Sequence, residues 1–195
     1  MSKREDLVDA AKSLLWERGY AAMSPRAVQR ASGAGQGSFY HHFTGKRDLA
    51  ATALGDVARE MESATDAIYY LGHSSFEKLS RYLTLPRDAL KGCRLGRLAH
   101  EASIEEPQIR GPVADYFGYV EARAAATLAG AVRDGEIAPD ANPGDIAASL
   151  VAVVQGGYVL ARAHRDPDYM ARATRGALAM LSALYGNSDR PGAGT

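Results

Sequence analysis

The chain has 195 residues, of which 46% are hydrophobic and 24% are charged, and it carries no net formal charge at neutral pH. This composition is ordinary for a globular protein, and the length allows one domain with a sizeable core or one small and one larger domain. The single cysteine, Cys93, excludes an internal disulfide and a zinc site built on cysteines.

The charge is unevenly distributed along the chain. Residues 1–47 hold eight lysines and arginines against four acids, a net charge of +4, so the rest of the neutral chain carries −4. A basic N-terminal fifth on an acidic body is typical of a protein with one module that faces nucleic acid.

Neither a signal peptide nor a membrane span is expected. The N-terminal stretch places acids and Lys12 among its apolar positions, which is the pattern of an amphipathic helix. The longest charge-free run, Ile146–Ala161, is shorter than the roughly 20 residues that a membrane-spanning helix needs. We therefore expect a cytoplasmic protein.

The first helices are predicted from spacing and caps. Leu7, Ala11 and Leu14 recur at helical spacing, which predicts a helix over 3–18 that Gly19 ends. Ser24 before Pro25 starts a second helix, which stops at Gly33, and a third opens at Gln36. Two short helices that meet at a glycine turn indicate a helix-turn-helix. Its predicted core is Leu7, Leu14, Val28, Phe39 and Phe43.

The third helix has two different faces. Phe39 and Phe43 fall on one side and should face the core. Gly37, Ser38 and His41 fall opposite, with Tyr40 and His42 beside them. A glycine in an exposed helix costs about 1 kcal/mol of helix propensity, but it is useful where the backbone must approach a phosphate or a base edge.

The segment Gly33–Lys46 (GAGQGSFYHHFTGK) resembles the recognition-helix segment of TetR-type transcriptional repressors. Its specific part is Tyr40-His41-His42-Phe43 with Lys46 three residues later. Over the rest of the chain the resemblance is only general. The sequence departs from the pattern at Gly35, where many members have Ser or Thr. Glycine can still cap a helix, but it offers no side-chain oxygen to a phosphate.

The candidate DNA contacts separate into phosphate and base contacts. Tyr40, Lys46 and Ser24 are phosphate candidates, and Arg26 suits either phosphate or guanine. Gln36 opens the recognition helix, where base edges are reached first, and glutamine can pair with adenine. The resemblance places contacts at Arg26, Gln36, Gly37, Ser38, Tyr40, His41, His42 and Lys46.

The remainder is also predicted to be helical, so the fold class is all-α. Helices are expected from about 46 to 67, over 75–83, over 94–104, from Pro107 to about 134, over 143–163 and over 167–184, before a disordered tail at 187–195. We expect residues 1–47 to form the DNA-binding domain and residues 48–186 to form a larger domain for ligand binding and dimerisation.

The last two helices are candidates for a dimer interface. The helix over 143–163 is apolar nearly all round, so more than one face must be buried. The pair matches the place where TetR-type proteins form a four-helix dimer interface, although a core hairpin within a monomer would give the same pattern. The predicted interface residues are Leu150, Val153, Val154, Gly157, Ala177, Leu181 and Leu184.

The resemblance further implies a small-molecule pocket that controls a homodimeric repressor bound to double-stranded DNA. Candidate lining residues mix aromatic and polar types, and packing in the core is the alternative for each. They are Cys93, Arg97, His100, Tyr116, Phe117, Tyr119 and Tyr158.

Other functions are disfavoured. Adjacent histidines at 41 and 42 point in different directions, so we predict no metal site, and nothing indicates a cofactor. Cys93 and His100 could be imagined as a nucleophile and its base, but a core cysteine is the simpler interpretation, so we predict no enzyme. The remaining alternative to a regulator is a helical ligand-binding or adaptor protein that no longer binds DNA.

Overall fold

The computed structural model describes residues 2–70 and 72–186. Those residues form eight α-helices and two short 3₁₀ helices without any strand, which confirms the all-α prediction. In chain order they are α1 (Lys3–Ala22), α2 (Pro25–Ser32), α3 (Gln36–His42), α4 (Lys46–Tyr70), α5 (Ser75–Thr84), the 3₁₀ helices Gly96–His100 and Ala102–Glu105, α6 (Pro107–Arg133), α7 (Pro143–His164) and α8 (Asp168–Gly186). The tail predicted at 187–195 lies outside the described residues.

Helix α1 begins with a reciprocal cap and is interrupted near its end. The Ser2 hydroxyl accepts the Glu5 N–H, and the Glu5 carboxylate accepts the Ser2 N–H. At Gly19 the backbone leaves the helical path with φ 80°, in the left-handed region that favours glycine. Gly19 therefore ends the regular helix as predicted, and one short turn follows it.

Packing divides the chain into two compact units. Unit 1 comprises the residues up to Ser63 together with Lys91–Tyr116, and unit 2 comprises Ala64–Leu90 together with the residues from Phe117 onward. In unit 1, α1 contacts both α2 and α3. The predicted core of this unit is confirmed, since Leu7, Leu14, Val28, Phe39 and Phe43 are all at most 6% exposed. The functional boundary proposed after residue 47 is a different division and stays a prediction.

The predicted helix over 94–104 is wrong. This stretch forms two 3₁₀ helices that meet at Glu101, whose φ and ψ of −102° and 148° are extended. Arg97 donates to the backbone carbonyls of Trp16 and Glu17, and the Glu101 carboxylate accepts from backbone N–H groups at the end of α1. These long-range hydrogen bonds override local helix propensity, which is a weak preference.

In unit 2, α7 packs on α8, and α5 also contacts α8. Asn142 caps α7 by accepting from the N–H groups of Gly144 and Asp145 at 3.0 and 3.3 Å. A Cβ on Gly157 would lie only 2.7 Å from the Met170 sulfur. Gly157, which the sequence placed in a dimer interface, therefore lies close against α8 of the same chain.

Three charged side chains meet at Glu60 on α4. The Lys12 ammonium lies 2.8 Å from Glu60 Oε1, and Arg94 Nη1 lies 2.7 Å from Oε2. The hydrogen bond from Lys12, with that from Arg94 adding to it, lowers the pKa of the Glu60 carboxyl against the opposing effect of desolvation. Because the folded pKa is below the unfolded one, this stabilisation is present above the unfolded pKa and is lost as pH falls through the folded pKa.

Glu60→Gln is therefore expected to flatten the acid side of the stability–pH profile and to cost about 1 kcal/mol or less at neutral pH. Urea unfolding followed by the fluorescence of Trp16, the single tryptophan, checks this from neutral into acid pH. Asp115→Asn, at an exposed site on α6, is the matched control. A stability difference between wild type and Glu60→Gln that stays constant into acid would contradict the prediction.

Candidate nucleic-acid interface

Local caps set the geometry of α2 and α3. The Ser24 hydroxyl accepts the Ala27 N–H at 3.2 Å, and Pro25 occupies the first helical position. Gly33 ends α2 with φ 65°. Gly35 then begins α3 without any side-chain cap. Both helices of the helix-turn-helix begin where the sequence predicted and α2 ends there too, but α3 ends at His42, so Phe43 lies just beyond it in extended backbone.

Helix α3 has one buried face and one open face. Phe39 is fully buried, and its ring lies 5.0 Å from the Tyr40 ring in an edge contact. Tyr40 itself is 55% exposed. On the open side Gln36, Gly37 and His41 are exposed, while Ser38 and His42 are half-buried. The buried Phe39 ring therefore anchors α3 to the rest of the unit, and the hydrogen-bonding groups of α3 stay on its solvent-exposed face.

Gly37 is not required by packing within the chain. A Cβ at this position would meet no atom within 4 Å. Its unfavourable helix propensity, about 1 kcal/mol relative to alanine, is therefore not offset by a close contact of its own. The missing side chain removes bulk near the start of α3, where a recognition helix in the major groove contacts base edges.

The other predicted contacts on α2 are also exposed. Ser24 uses its oxygen as the acceptor in the α2 cap, so its hydroxyl proton remains available for donation to a phosphate. Arg26 is exposed in the first turn of the same helix. Both side chains can therefore reach outward without breaking a contact in the fold.

Lys46 has partners inside the fold that the sequence did not reveal. Its ammonium donates to the Ala21 carbonyl at 3.3 Å and lies 4.2 Å from the centre of the Tyr20 ring. An ammonium has three donors, so this one bond leaves two for a phosphate. Tyr20 could not be predicted as a partner of Lys46, because 26 positions separate the two residues and no local pattern joins them.

Arg4 and Arg47 belong to the basic N-terminal stretch, but the sequence did not assign either of them to a site. The Arg4 guanidinium lies 5.5 Å from the centre of the Phe43 ring. Arg47 forms an ion pair with Glu106. Arg47 therefore ties the start of α4 to the residues before α6, and its pairing depends on tertiary structure alone.

The residues predicted to line a ligand pocket are distributed over both units. Cys93, Arg97, His100 and Tyr116 belong to unit 1, and Phe117, Tyr119 and Tyr158 belong to unit 2. Cys93 is buried and His100 is exposed. Because no continuous helix joins them, their spacing does not put them on one helical face.

Tyr119 takes part in a polar network within unit 2. Its hydroxyl donates to the Asp66 carboxylate and accepts from Arg123 Nη2 at 2.9 Å. Arg123 also pairs with Asp66 at 2.7 Å. Tyr158 instead packs against the buried cluster of Ala89, Ala161 and Met170.

A cavity of about 480 Å³ lies within unit 2 between the end of α4, the start of α5 and the end of α6. Its polar lining includes Tyr69, His73, Ser75, Lys78, Arg123 and Glu136. The Tyr69 hydroxyl is buried without a hydrogen-bond partner, and burial raises its pKa. No local pattern in the sequence predicts this cavity, because its lining comes from three separate segments.

The predicted interface residues on α7 and α8 differ in burial. Leu150, Val154, Gly157, Ala177 and Leu181 are buried within the chain, whereas Val153 and Leu184 are half-buried. An apolar groove of about 250 Å³ runs between the two helices and includes Val153, Met180 and Leu184. Met180 is 62% exposed, so it provides much of the outward apolar surface.

The described residues hold no evident metal site and one long apolar helix. Among residues 2–70 and 72–186, no group of three or more His, Cys, Asp or Glu is placed to hold a metal ion. Helix α7 is long and apolar enough to cross a membrane by length and composition alone, with 33% of its most apolar window buried. Core helices of soluble proteins meet the same criteria, so this is weak evidence for a span.

Solved structures share this architecture. A TetR-family transcriptional regulator from Cytophaga hutchinsonii superimposes with a TM-score of 0.84 at 20% identity, covering 95% of this chain and 98% of that one. Reduced NemR from Escherichia coli gives a TM-score of 0.82 at 20% identity, covering 94% and 97%. At these identities the likeness establishes the fold.

Curated relatives are similar over most of the chain. An uncharacterized HTH-type transcriptional regulator of Mycobacterium tuberculosis is 30% identical over 179 residues, which is 84% of this chain and 86% of the relative. The transcriptional regulator AcuR of Cereibacter sphaeroides is 21% identical over 178 residues, covering 88% of this chain and 81% of AcuR.

Two family models match. The model for bacterial regulatory proteins of the tetR family covers residues 7–53, from α1 into α4. The model for the tetracyclin repressor-like C-terminal domain covers residues 74–177, more than half of the chain. The chain therefore belongs to the TetR family of DNA-binding transcriptional regulators, which are not enzymes.

Proposed function

We propose that this regulator is a homodimeric repressor that binds a pseudo-palindromic operator and is released by a small-molecule effector. The open face of α3 carries the proposal, because Gln36, Gly37, Tyr40 and His41 are exposed beside a buried Phe39. Their polar groups are of the kinds that pair with base edges and phosphates in a major groove.

The proposed contacts have separate roles. Ser24, Tyr40 and Lys46 bind phosphates, and Gln36 reads a base edge. Gly37 lets the backbone come close to the DNA. Arg26, Ser38, His41 and His42 complete the surface as contacts to bases or backbone.

Tyr40→Ala is expected to weaken binding to cognate and unrelated duplexes alike, because phosphate contacts carry no sequence information.

Gln36→Ala is expected to cost about 1–3 kcal/mol on the cognate duplex and to relax the choice of one base pair in each half-site. Both are measured by fluorescence anisotropy on duplexes selected from a random pool and on their single-base variants. Gln108→Ala, at an exposed site on α6, is the control. Equal losses on cognate and scrambled DNA for Gln36→Ala would refute base reading.

The dimer is proposed to form through α7 and α8, where the apolar groove and Met180 face outward. Of the predicted interface residues, five line this groove and two are buried within the chain: Leu150, Val153, Ala177, Leu181 and Leu184 line it, and Val154 and Gly157 are buried. A two-fold dimer presents two recognition helices to two half-sites, which matches a pseudo-palindromic operator. A dimer interface also accounts for the apolar character of α7. We therefore propose that α7 packs against a partner subunit and does not span a membrane.

The effector is proposed to bind the helical region after the DNA-binding module. The effector contacts proposed are those predicted from the sequence: Cys93, Arg97, His100 and Tyr116 in unit 1, and Phe117, Tyr119 and Tyr158 in unit 2. The cavity near Tyr69 is an additional candidate within unit 2. An effector can release DNA only if it binds one conformation of the dimer better than the other. A small-molecule screen that monitors release of the selected duplex tests this.

The family match over 7–53 supports DNA binding over the adaptor alternative. Operator binding would take place in the cytoplasm, where the chromosome of a bacterium lies. Selection of duplexes from a random pool tests the proposal as a whole, because binding that is indifferent to sequence and insensitive to salt would favour the adaptor.

A further inference from the structure

Glu101 binds the backbone just before the helix-turn-helix. Its Oε1 accepts the Tyr20 N–H at 3.3 Å, and its Oε2 accepts the Ala21 N–H at 3.2 Å. Eighty positions separate Glu101 from Ala21, so this contact is purely tertiary. Hydrogen bonds to a charged acceptor are stronger than those between neutral groups.

Gly19 makes room for this carboxylate. Its φ of 80° is a conformation that side chains rarely adopt, and a Cβ added there would overlap the Glu101 carboxyl group. The backbone conformation therefore favours glycine here, and any side chain at this position would have to displace the Glu101 carboxylate. The sequence explained Gly19 only as the end of a helix.

Neighbouring residues hold the same end of α1. Arg97 donates to the carbonyls of Trp16 and Glu17, and the Trp16 indole N–H donates to the Gly92 carbonyl at 2.9 Å. The stretch 92–101 therefore forms hydrogen bonds with both carbonyl and N–H groups at the end of α1.

Lys46 also contacts the same two residues. Its ammonium donates to the Ala21 carbonyl and lies over the Tyr20 ring, at 3.3 and 4.2 Å. Glu101 thus holds the N–H groups of Tyr20 and Ala21 while Lys46 rests on the ring and carbonyl of the same pair. We call these two residues with Glu101 and Lys46 the Glu101 clamp.

We propose that Glu101 is a positioning residue for DNA binding, which fixes the Tyr20–Ala21 pair on which the phosphate-binding Lys46 rests. The clamp couples the 3₁₀ stretch 96–105 to the DNA surface, so displacement of that stretch lowers DNA affinity without unfolding the chain. This inference rests on the proposed phosphate contact of Lys46.

The first test does not need DNA. In Glu101→Ala, the amides of Tyr20 and Ala21 are expected to exchange with solvent at least tenfold faster, while amides in the middle of α1 keep their protection. Glu101→Gln retains one acceptor oxygen in the same volume and should give an intermediate effect. Glu105→Ala, at an exposed site in the same stretch, is the control. Unchanged exchange at both amides in Glu101→Ala and Glu101→Gln would overturn the clamp.

The second test is a double-mutant cycle on the selected duplex. Lys46→Met keeps the apolar stem and should weaken binding about tenfold and reduce the salt slope by about one unit, as expected for one lost phosphate contact. Glu101→Ala should also weaken binding about tenfold. If Glu101 acts through Lys46, the double variant should match Lys46→Met within about twofold.

The outcomes distinguish the two proposals. If Lys46→Met leaves affinity and salt slope unchanged, the phosphate contact is wrong, and the coupling falls with it. If Lys46→Met weakens binding but Glu101→Ala does not, or if the two losses multiply in the double variant, the phosphate contact stands and the positioning role of Glu101 is overturned. Circular dichroism and Trp16 fluorescence identify any variant that fails to fold, and Glu101→Gln then replaces Glu101→Ala in the cycle.

Discussion

Phe39→Ala is expected to destabilise unit 1 by roughly 3–5 kcal/mol, because it removes a buried aromatic ring and leaves a cavity. Phe39 is 0% exposed, and its ring contacts those of Tyr40 and Phe43 at 5.0 and 6.3 Å. Since α3 has seven residues and cannot be stable alone, loss of this anchor should release the whole recognition helix. Chemical denaturation followed by Trp16, which lies in unit 1, measures the effect.

The control for Phe39→Ala is Gln36→Ala on the same helix. Gln36 is exposed, so its replacement should change stability by no more than about 0.5 kcal/mol. The two variants should then separate folding from recognition, since both weaken operator binding but only Phe39→Ala lowers stability. A Phe39→Ala protein that unfolds at the wild-type denaturant concentration would contradict the assignment of Phe39 as the anchor of α3.

Met180→Glu is expected to convert the proposed homodimer into a folded monomer. Met180 is 62% exposed within one chain, so the charge is solvated in the monomer but would be buried twice in a two-fold interface. Losing the burial of two methionines costs roughly 4 kcal/mol, which corresponds to about a 1,000-fold weaker dimer. Light scattering and sedimentation at micromolar concentration measure this change.

The operator affinity of Met180→Glu should fall with dimerisation, because a monomer contacts only one half-site. Ser182→Glu is the matched control, since Ser182 is exposed about 200° around the same helix from Met180. It should remain dimeric and bind DNA as wild type does. Dissociation by Ser182→Glu, or a Met180→Glu protein that stays dimeric, would place the interface elsewhere.

Helix boundaries were predicted well where a local signal determines them. Ser24 with Pro25 and Asn142 with Pro143 begin helices at the observed residues, because capping depends on atoms within three positions. The faces of α3 were also predictable, since helical periodicity alone puts Phe39 inside. The stretch 94–104 was predicted wrongly, because hydrogen bonds from Arg97 and Glu101 to α1 determine its conformation.

By itself the sequence determined the helical class, the helix-turn-helix at 24–46 and the family resemblance, because caps, periodicity and a contiguous motif all act over a few residues. Tertiary structure alone decided the partners. It placed Lys46 against Tyr20, Gly157 against Met170, and Glu101 on the backbone beside Gly19. Such contacts join residues far apart in the chain, and their geometry depends on how whole helices pack, which no local pattern of residues encodes.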